Sequence, residues 1–134
     1  MNTNHSMPPG VIIPEIPYAD ISEAADWLCR VFGFKKRLQI GNHRFQLLYD
    51  DASIVVIEGR EPIQPSSVMV HVADVNEHYE RAASMGAQIV SPPTDYPFGE
   101  RQYTANDLGG HRWTFSQTIA DVDPATWGGI LFEE

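Results

Sequence analysis

The segment Ala73-Asp74-Val75-Asn76-Glu77 repeats, in chemistry and spacing, an earlier segment of the same chain, Ala19-Asp20-Ile21-Ser22-Glu23. Each reads as the start of a helix. The aspartate can accept from the free N–H groups of the first turn, and the glutamate three residues on can reach back toward the cap. After the first, Ile21, Ala24, Ala25, Leu28, Val31 and Phe32 recur at helical spacing and Gly33 ends the run; after the second, Val75, Tyr79, Ala82 and Met85 form the stripe and Gly86 ends it. Asp74 stands 54 positions after Asp20 and Gly86 stands 53 after Gly33. A register held across a whole helix marks an internal duplication.

Strand patterns lie on either side of each helix. Val11 to Tyr18 is apolar and β-branched but interrupted by Pro14 and Pro17, which lack ladder donors, so it suits an edge strand. Phe34 to Ile40, Arg44 to Tyr49 and Ser53 to Glu58 follow the first helix, separated by Gly41-Asn42 and Asp50-Asp51. Glu61 to Pro65 reads as a linker. In the second half Val68 to Val72 precedes the helix and Ala87 to Ser91 follows it. Pro92 to Pro97 reads as a loop, and Tyr96 to Gln117 as a hairpin reversing at Asn106-Asp107-Leu108-Gly109-Gly110. The expected organisation is a disordered lead-in over 1–10 and a single α+β domain over 11–118, made of two tandem βαβββ units (11–60 and 66–118). A tail over 119–134 follows, whose Trp127, Ile130, Leu131 and Phe132 are apolar enough to dock on the domain or a partner.

Composition narrows the partners. The chain has 134 residues, 43% hydrophobic and 20% charged, which suits one folded domain with a real core. Nine basic against eighteen acidic residues give a net charge of −9, which repels phosphate backbones and anionic lipid, so neither nucleic acid nor a membrane is an expected partner. The longest apolar run, Ile54 to Ile57, is too short to span a bilayer, and the first residues lack the apolar core of a signal peptide. A single cysteine precludes an internal disulfide and is compatible with a cytoplasmic location. Cys29 itself reads as a buried packing residue with no neighbouring base.

The duplicated βαβββ unit resembles the vicinal oxygen chelate superfamily, the glyoxalase/bleomycin-resistance/dioxygenase group, over Val11 to Thr118. The resemblance rests on Tyr-Ala-Asp and Val-Ala-Asp after the first strand of each unit, Val-Phe-Gly-Phe and Met-Gly-Ala closing the helices, and Asn-Asp-Leu-Gly-Gly-His-Arg-Trp-Thr-Phe near the end. It implies curled mixed sheets around a ligand cavity, helices packed outside, the 96–117 hairpin closing the second half of a two-part barrel, and commonly a homodimer. Enzymes of the superfamily hold a divalent metal with His, Gln or Glu from the first and last strands of the units. Aligned on the Ala-Asp steps and the Asp-Leu-Gly-Gly turn, those positions here are Ile13, Glu58, Val68 and Thr114, of which only Glu58 could bind a metal. No cofactor is therefore expected. Glu15 shares the face of Ile13, and by alternation His71 points away from the face of Val68.

The resemblance makes one face of the last hairpin the cavity wall: Gln102, Thr104 and Asn106 on one strand, Arg112 and Thr114 on the other, with Trp113 and Phe115 in the core. Arg101, near the mouth, is a candidate for an anionic group or for a salt bridge to Glu100 or Asp107. Tyr96 and Phe98 are a candidate hydrophobic lid or a plug at one end of the sheet, and Glu58 a candidate general base, an acceptor for a cationic ligand, or an exposed strand end. Trp27 lies off its helix stripe, while His78 reads as helix surface, His43 as turn, and His111 as a strand start bonding a nearby loop. Three functions follow as expectations. The first is a metal-free binding protein resembling the bleomycin-resistance members, its ligand cationic or aromatic. The second is a lyase, isomerase or dioxygenase with a non-standard site around Glu58 and Glu15. The third is a module for self-association.

Overall fold

A computed structural model describes residues 3–132. Eight strands and two helices appear in the expected order: β1 (Glu15–Tyr18), α1 (Ile21–Trp27, continued by a π-helical turn over Leu28–Phe32), β2 (Lys35–Ile40), β3 (Arg44–Tyr49), β4 (Ala52–Glu58), β5 (Ser67–His71), α2 (Val75–Ser84), β6 (Gln88–Tyr96), β7 (Glu100–Asn106) and β8 (Arg112–Thr118). They make two open four-stranded mixed sheets, ordered β1-β4-β3-β2 and β5-β8-β7-β6. Each sheet has one parallel pair, β1 with β4 and β5 with β8, because the crossover through the helix returns the chain in the same direction. No strand is shared, so the hairpin completes the second sheet and does not close a barrel.

Both helix starts are capped as their sequence requires. Asp20 accepts from the Glu23 N–H and Asp74 from the Glu77 N–H, each at 3.0 Å. Gly33 and Gly86 end the runs at φ +87° and +90°, a conformation that costs glycine least. In the first unit Ile21, Ala24, Ala25, Leu28, Val31 and Phe32 are all buried, against Ile16, Tyr18, Phe45, Leu47, Ile54 and Val56. In the second, Val75 and Ala82 are buried over Tyr103, Ala105, Trp113 and Phe115. Met85 departs from the stripe and is 39% exposed, since it caps the helix beyond its last full turn.

Several boundaries differ from the sequence reading. β1 begins at Glu15, not Val11: Pro14 offers only a carbonyl, which accepts from Val55 N–H at 2.9 Å, and Val11 and Ile12 lie outside the sheet. β6 continues through Pro92 and Pro93, which the sequence marked as a loop. As an edge strand it needs ladder donors on one side only, and its register shifts between Ser91 and Thr94. His78, expected at the surface, is half-buried with its ring 4.1 Å from that of Phe115 and Nδ1 2.5 Å from the Tyr103 hydroxyl. Cys29 is half-buried, and burial raises its thiol pKa.

The chain divides into two compact units, the residues up to Ser66 with Asp107–His111, and Ser67–Asn106 with Arg112 onward. The Asp107 turn thus belongs with the first half. Tyr18 donates its hydroxyl to Asp107 Oδ2 at 2.6 Å, while Asp107 Oδ1 accepts from the N–H groups of Gly109 and His111. His111, fully buried, accepts from Ser66 N–H at Nδ1 and lies 2.7 Å from the Pro17 carbonyl at Nε2, so its polar edges bond loops as expected. Burial, then the charge and hydrogen bond of Asp107, hold the Tyr18 phenol protonated well above its ordinary value of 10.0. The lead-in is also engaged: the carbonyls of His5, Ser6 and Pro9 accept hydrogen bonds from side chains of the first sheet. Met1, Asn2, Glu133 and Glu134 lie outside the described residues.

Candidate functional site

The pleat of the second sheet decides which side chains meet. On β8, Trp113 and Phe115 are fully buried under α2, so Arg112, Thr114 and Ser116 face the other way. Pairing carries this face across the sheet: Asn106 opposite Arg112, Thr104 opposite Thr114, Gln102 opposite Ser116, and on β5 Met69 opposite Thr114 and His71 opposite Ser116. The five hairpin candidates therefore share one open face, as the alternation predicts.

His71 corrects the sequence reading, which set Val68 on this face and His71 on the other. Val68 pairs with Trp113 and Val70 with Phe115, so the valines face the helix and Met69 and His71 face outward. Alignment on the Ala-Asp step shifted β5 by one residue, which inverts every side chain of a strand. A signal was present: valines at 68 and 70 suit a core face better than methionine and histidine do.

A cavity of about 550 Å³ opens on this face, lined by Met69, His71, Phe98, Glu100, Gln102 and Ser116. Its apolar part is Met69, which is 64% exposed, and Phe98, stacked on Tyr96 at 5.4 Å and packed against Trp127 at 5.3 Å. Its polar part centres on the Glu100 carboxylate. Oε1 accepts from the Ser116 hydroxyl at 2.7 Å and lies 3.2 Å from His71 Nε2, which is 3.1 Å from the Thr118 hydroxyl. Gln102 donates to Ser116 Oγ at 3.0 Å. Burial alone would raise the Glu100 pKa, but hydrogen bonds from Thr118, Ser116 and His71 outweigh it and hold the carboxyl below the usual range. Glu100 is an anion presented beside an apolar surface.

The other candidates lie around or away from this cluster. Thr104 and Thr114 hydrogen-bond to each other at 3.2 Å, Asn106 reaches Gln88 at 3.4 Å, and Arg112 is exposed at the end of the face. Tyr96 touches the cavity only through Phe98. Arg101 points to the helix side, where it holds Asp95 through two hydrogen bonds of 2.6 and 3.2 Å, a partner that neither Glu100 nor Asp107 turns out to be. Glu15 and Glu58 lie on opposite faces of the first sheet. Glu15 pairs with Arg44 at 2.7 Å, whereas Glu58 stands beside Tyr18 on the helix face, 3.9 Å from His43. The two carboxylates thus start from opposite faces of the sheet and are not brought together. Among the described residues, no three His, Cys, Asp or Glu side chains group as a metal site, and no helix is long and apolar enough to cross a membrane.

The Glyoxalase/Bleomycin resistance protein/Dioxygenase superfamily model matches residues 11–115, and the chain belongs to that family. The crystal structure of TioX from Micromonospora sp. ML1 superposes with a TM-score of 0.75 at 36% identity, covering 82% of this chain and 99% of that one. TnmS3 from Streptomyces sp. CB03234, described as an antibiotic binding protein, superposes at 0.70 with 23% identity, covering 81% and 95%. An uncharacterized protein of Mycobacterium bovis, Mb0911c, is 30% identical over 59 residues, 44% of this chain and 39% of its own length, so the match spans well under half of that relative.

Proposed function

We propose that the protein binds a small amphipathic molecule, cationic at one end and apolar or aromatic at the other, on the open face of the second sheet, and does so without a metal. The observation that carries this reading is the Glu100 carboxylate, kept ionised by Ser116, Thr118 and His71 beside Met69 and Phe98 in one cavity. A charge-assisted hydrogen bond to Glu100 would fix the cationic end, and burial on Met69 and Phe98 would supply affinity. The net charge of −9 draws cations toward the molecule at long range. The fold carries a comparable role in TnmS3, an antibiotic binding protein. Homodimerisation belongs to the same proposal, since Ile130, Leu131 and Phe132 are each at least 78% exposed.

The test is a titration with matched cationic and neutral aromatic compounds, followed through melting temperature and the fluorescence of Trp127, which packs on Phe98. Saturable binding of the cationic series is expected, with Glu100→Gln weakening it about tenfold and leaving the neutral series unchanged. Absence of any shift across the panel would sink the reading. Titration with Zn²⁺, Ni²⁺ and Mn²⁺ checks the metal-free part, where no stoichiometric binding is expected.

A further inference from the structure

Glu100 faces the cavity, yet its side chain is only 18% exposed, while that of His71 beside it is 71% exposed. The carboxylate is covered by donors of two different kinds. Ser116 of β8, itself buried and held in turn by Gln102 at 3.0 Å, donates to Glu100 Oε1 at 2.7 Å. His71 of β5 brings Nε2 to 3.2 Å from the same oxygen and to 3.1 Å from the Thr118 hydroxyl. Ser116 is fixed within the sheet, whereas His71 is a donor that solvent and ligand reach.

An ionised carboxylate only accepts, so the Nε2 that faces it carries the proton of the neutral ring. A second proton would go to Nδ1, which has no hydrogen-bond partner among the described residues, so the ring can take up charge while keeping its contact with Glu100. That contact then becomes an ion pair. Few other charges bear on it. The strands beside β5 present Ser116 and Thr118 of β8 and Glu100 and Gln102 of β7 on this face, and of these Glu100 alone titrates. Arg112 lies at the far end of the face, opposite Ser67. Asp95 and Arg101 pair with each other on the helix side, Asp74 caps α2, and the charged residues of α2 lie over the opposite face. Glu100 keeps its charge above its ordinary value of 4.5, whereas an imidazole changes charge at about pH 6.5.

We propose that His71 is the specificity-determining residue of the cavity: neutral, it yields Glu100 to a cationic ligand, and protonated, it holds the carboxylate itself and turns such ligands away. The inference rests on the reading of Glu100 as the anchor for a cation. Discrimination comes from a repulsive element as well as an attractive one, since the imidazolium both occupies the anion and repels a like charge. Neutral ligands, which make no demand on Glu100, are treated alike in either state.

The probe is phenethylamine, an aromatic cation, with phenethyl alcohol as its neutral match, each titrated into the full chain by calorimetry at about pH 5.5 and about pH 8. The amine should bind about fivefold more weakly at the lower pH, a difference that added salt shrinks because the imidazole stands in solvent. The alcohol should bind equally at both. His71→Gln retains an N–H donor without the charge, and should bind the amine at both pH values as tightly as the unaltered chain does at the higher one. His71→Lys, charged throughout, should bind it weakly at both. A flat profile for the amine in the unaltered chain, the same slope in His71→Gln, or a like slope for the alcohol would overturn this inference and leave the reading of the cavity standing. Failure of the amine to bind any of the three proteins would sink that reading, and this inference with it.

Discussion

At the scale of single residues, the buried contact of Tyr18 with Asp107 and the cavity carboxylate of Glu100 respond oppositely to pH. Tyr18→Phe removes the donor to a buried carboxylate, which should cost about 1–3 kcal/mol in denaturant unfolding. Because the phenol's pKa is raised in the fold, its contribution is complete below 10.0 and declines as pH rises above that value. The difference between the native chain and Tyr18→Phe should therefore shrink only in alkali. Glu100 has a lowered pKa, so its contribution is present above the ordinary value of 4.5 and lost as pH falls through its folded value. Melting curves of the native chain and Glu100→Gln should converge in acid, and cation binding should fade over the same range. His71, Glu100 and Ser116 escaped the sequence reading because membership of the cavity depends on strand register. A one-residue slip in β5 exchanges His71 for Val70.

At the scale of elements, the two caps and the two helix stops were legible because they are local chemistry. Asp20→Ala and Asp74→Ala should each lower stability by about 1 kcal/mol in chemical denaturation, with no effect on cavity binding. The core strand β8 is expected to matter more: Phe115→Ala, fully buried beneath His78 and Tyr103, should cost about 3–5 kcal/mol. Strand ends were read less well. Pro14 and Pro92-Pro93 carry the same sequence signal, yet the first ends the pairing of β1 and the second pair lies inside β6. The difference is set by which side of each strand faces a neighbour, and that is a property of the assembled sheet.

At the scale of the whole molecule, the proposed homodimer is checked by light scattering of the full chain and of a chain ending at Thr126. A dimer is expected for the first. Conversion of the second to monomer would assign the contact to the apolar tail, where Ile130, Leu131 and Phe132 are each at least 78% exposed.

The sequence by itself determined the duplication, the order of the elements, the family and the separation of core from open face on the last hairpin. All of these follow from short-range periodicity, capping and composition, which the chain carries locally. Tertiary structure alone decided that His71 and Glu100 share the cavity, that Arg101 is tied to Asp95 on the far side, and that Glu15 and Glu58 stand on opposite faces. It also decided that the N-terminal segment, featureless as sequence, lies along the first sheet. The reason is common to all four. Each depends on register or on backbone carbonyls meeting distant side chains, and neither leaves a mark on the residues in between.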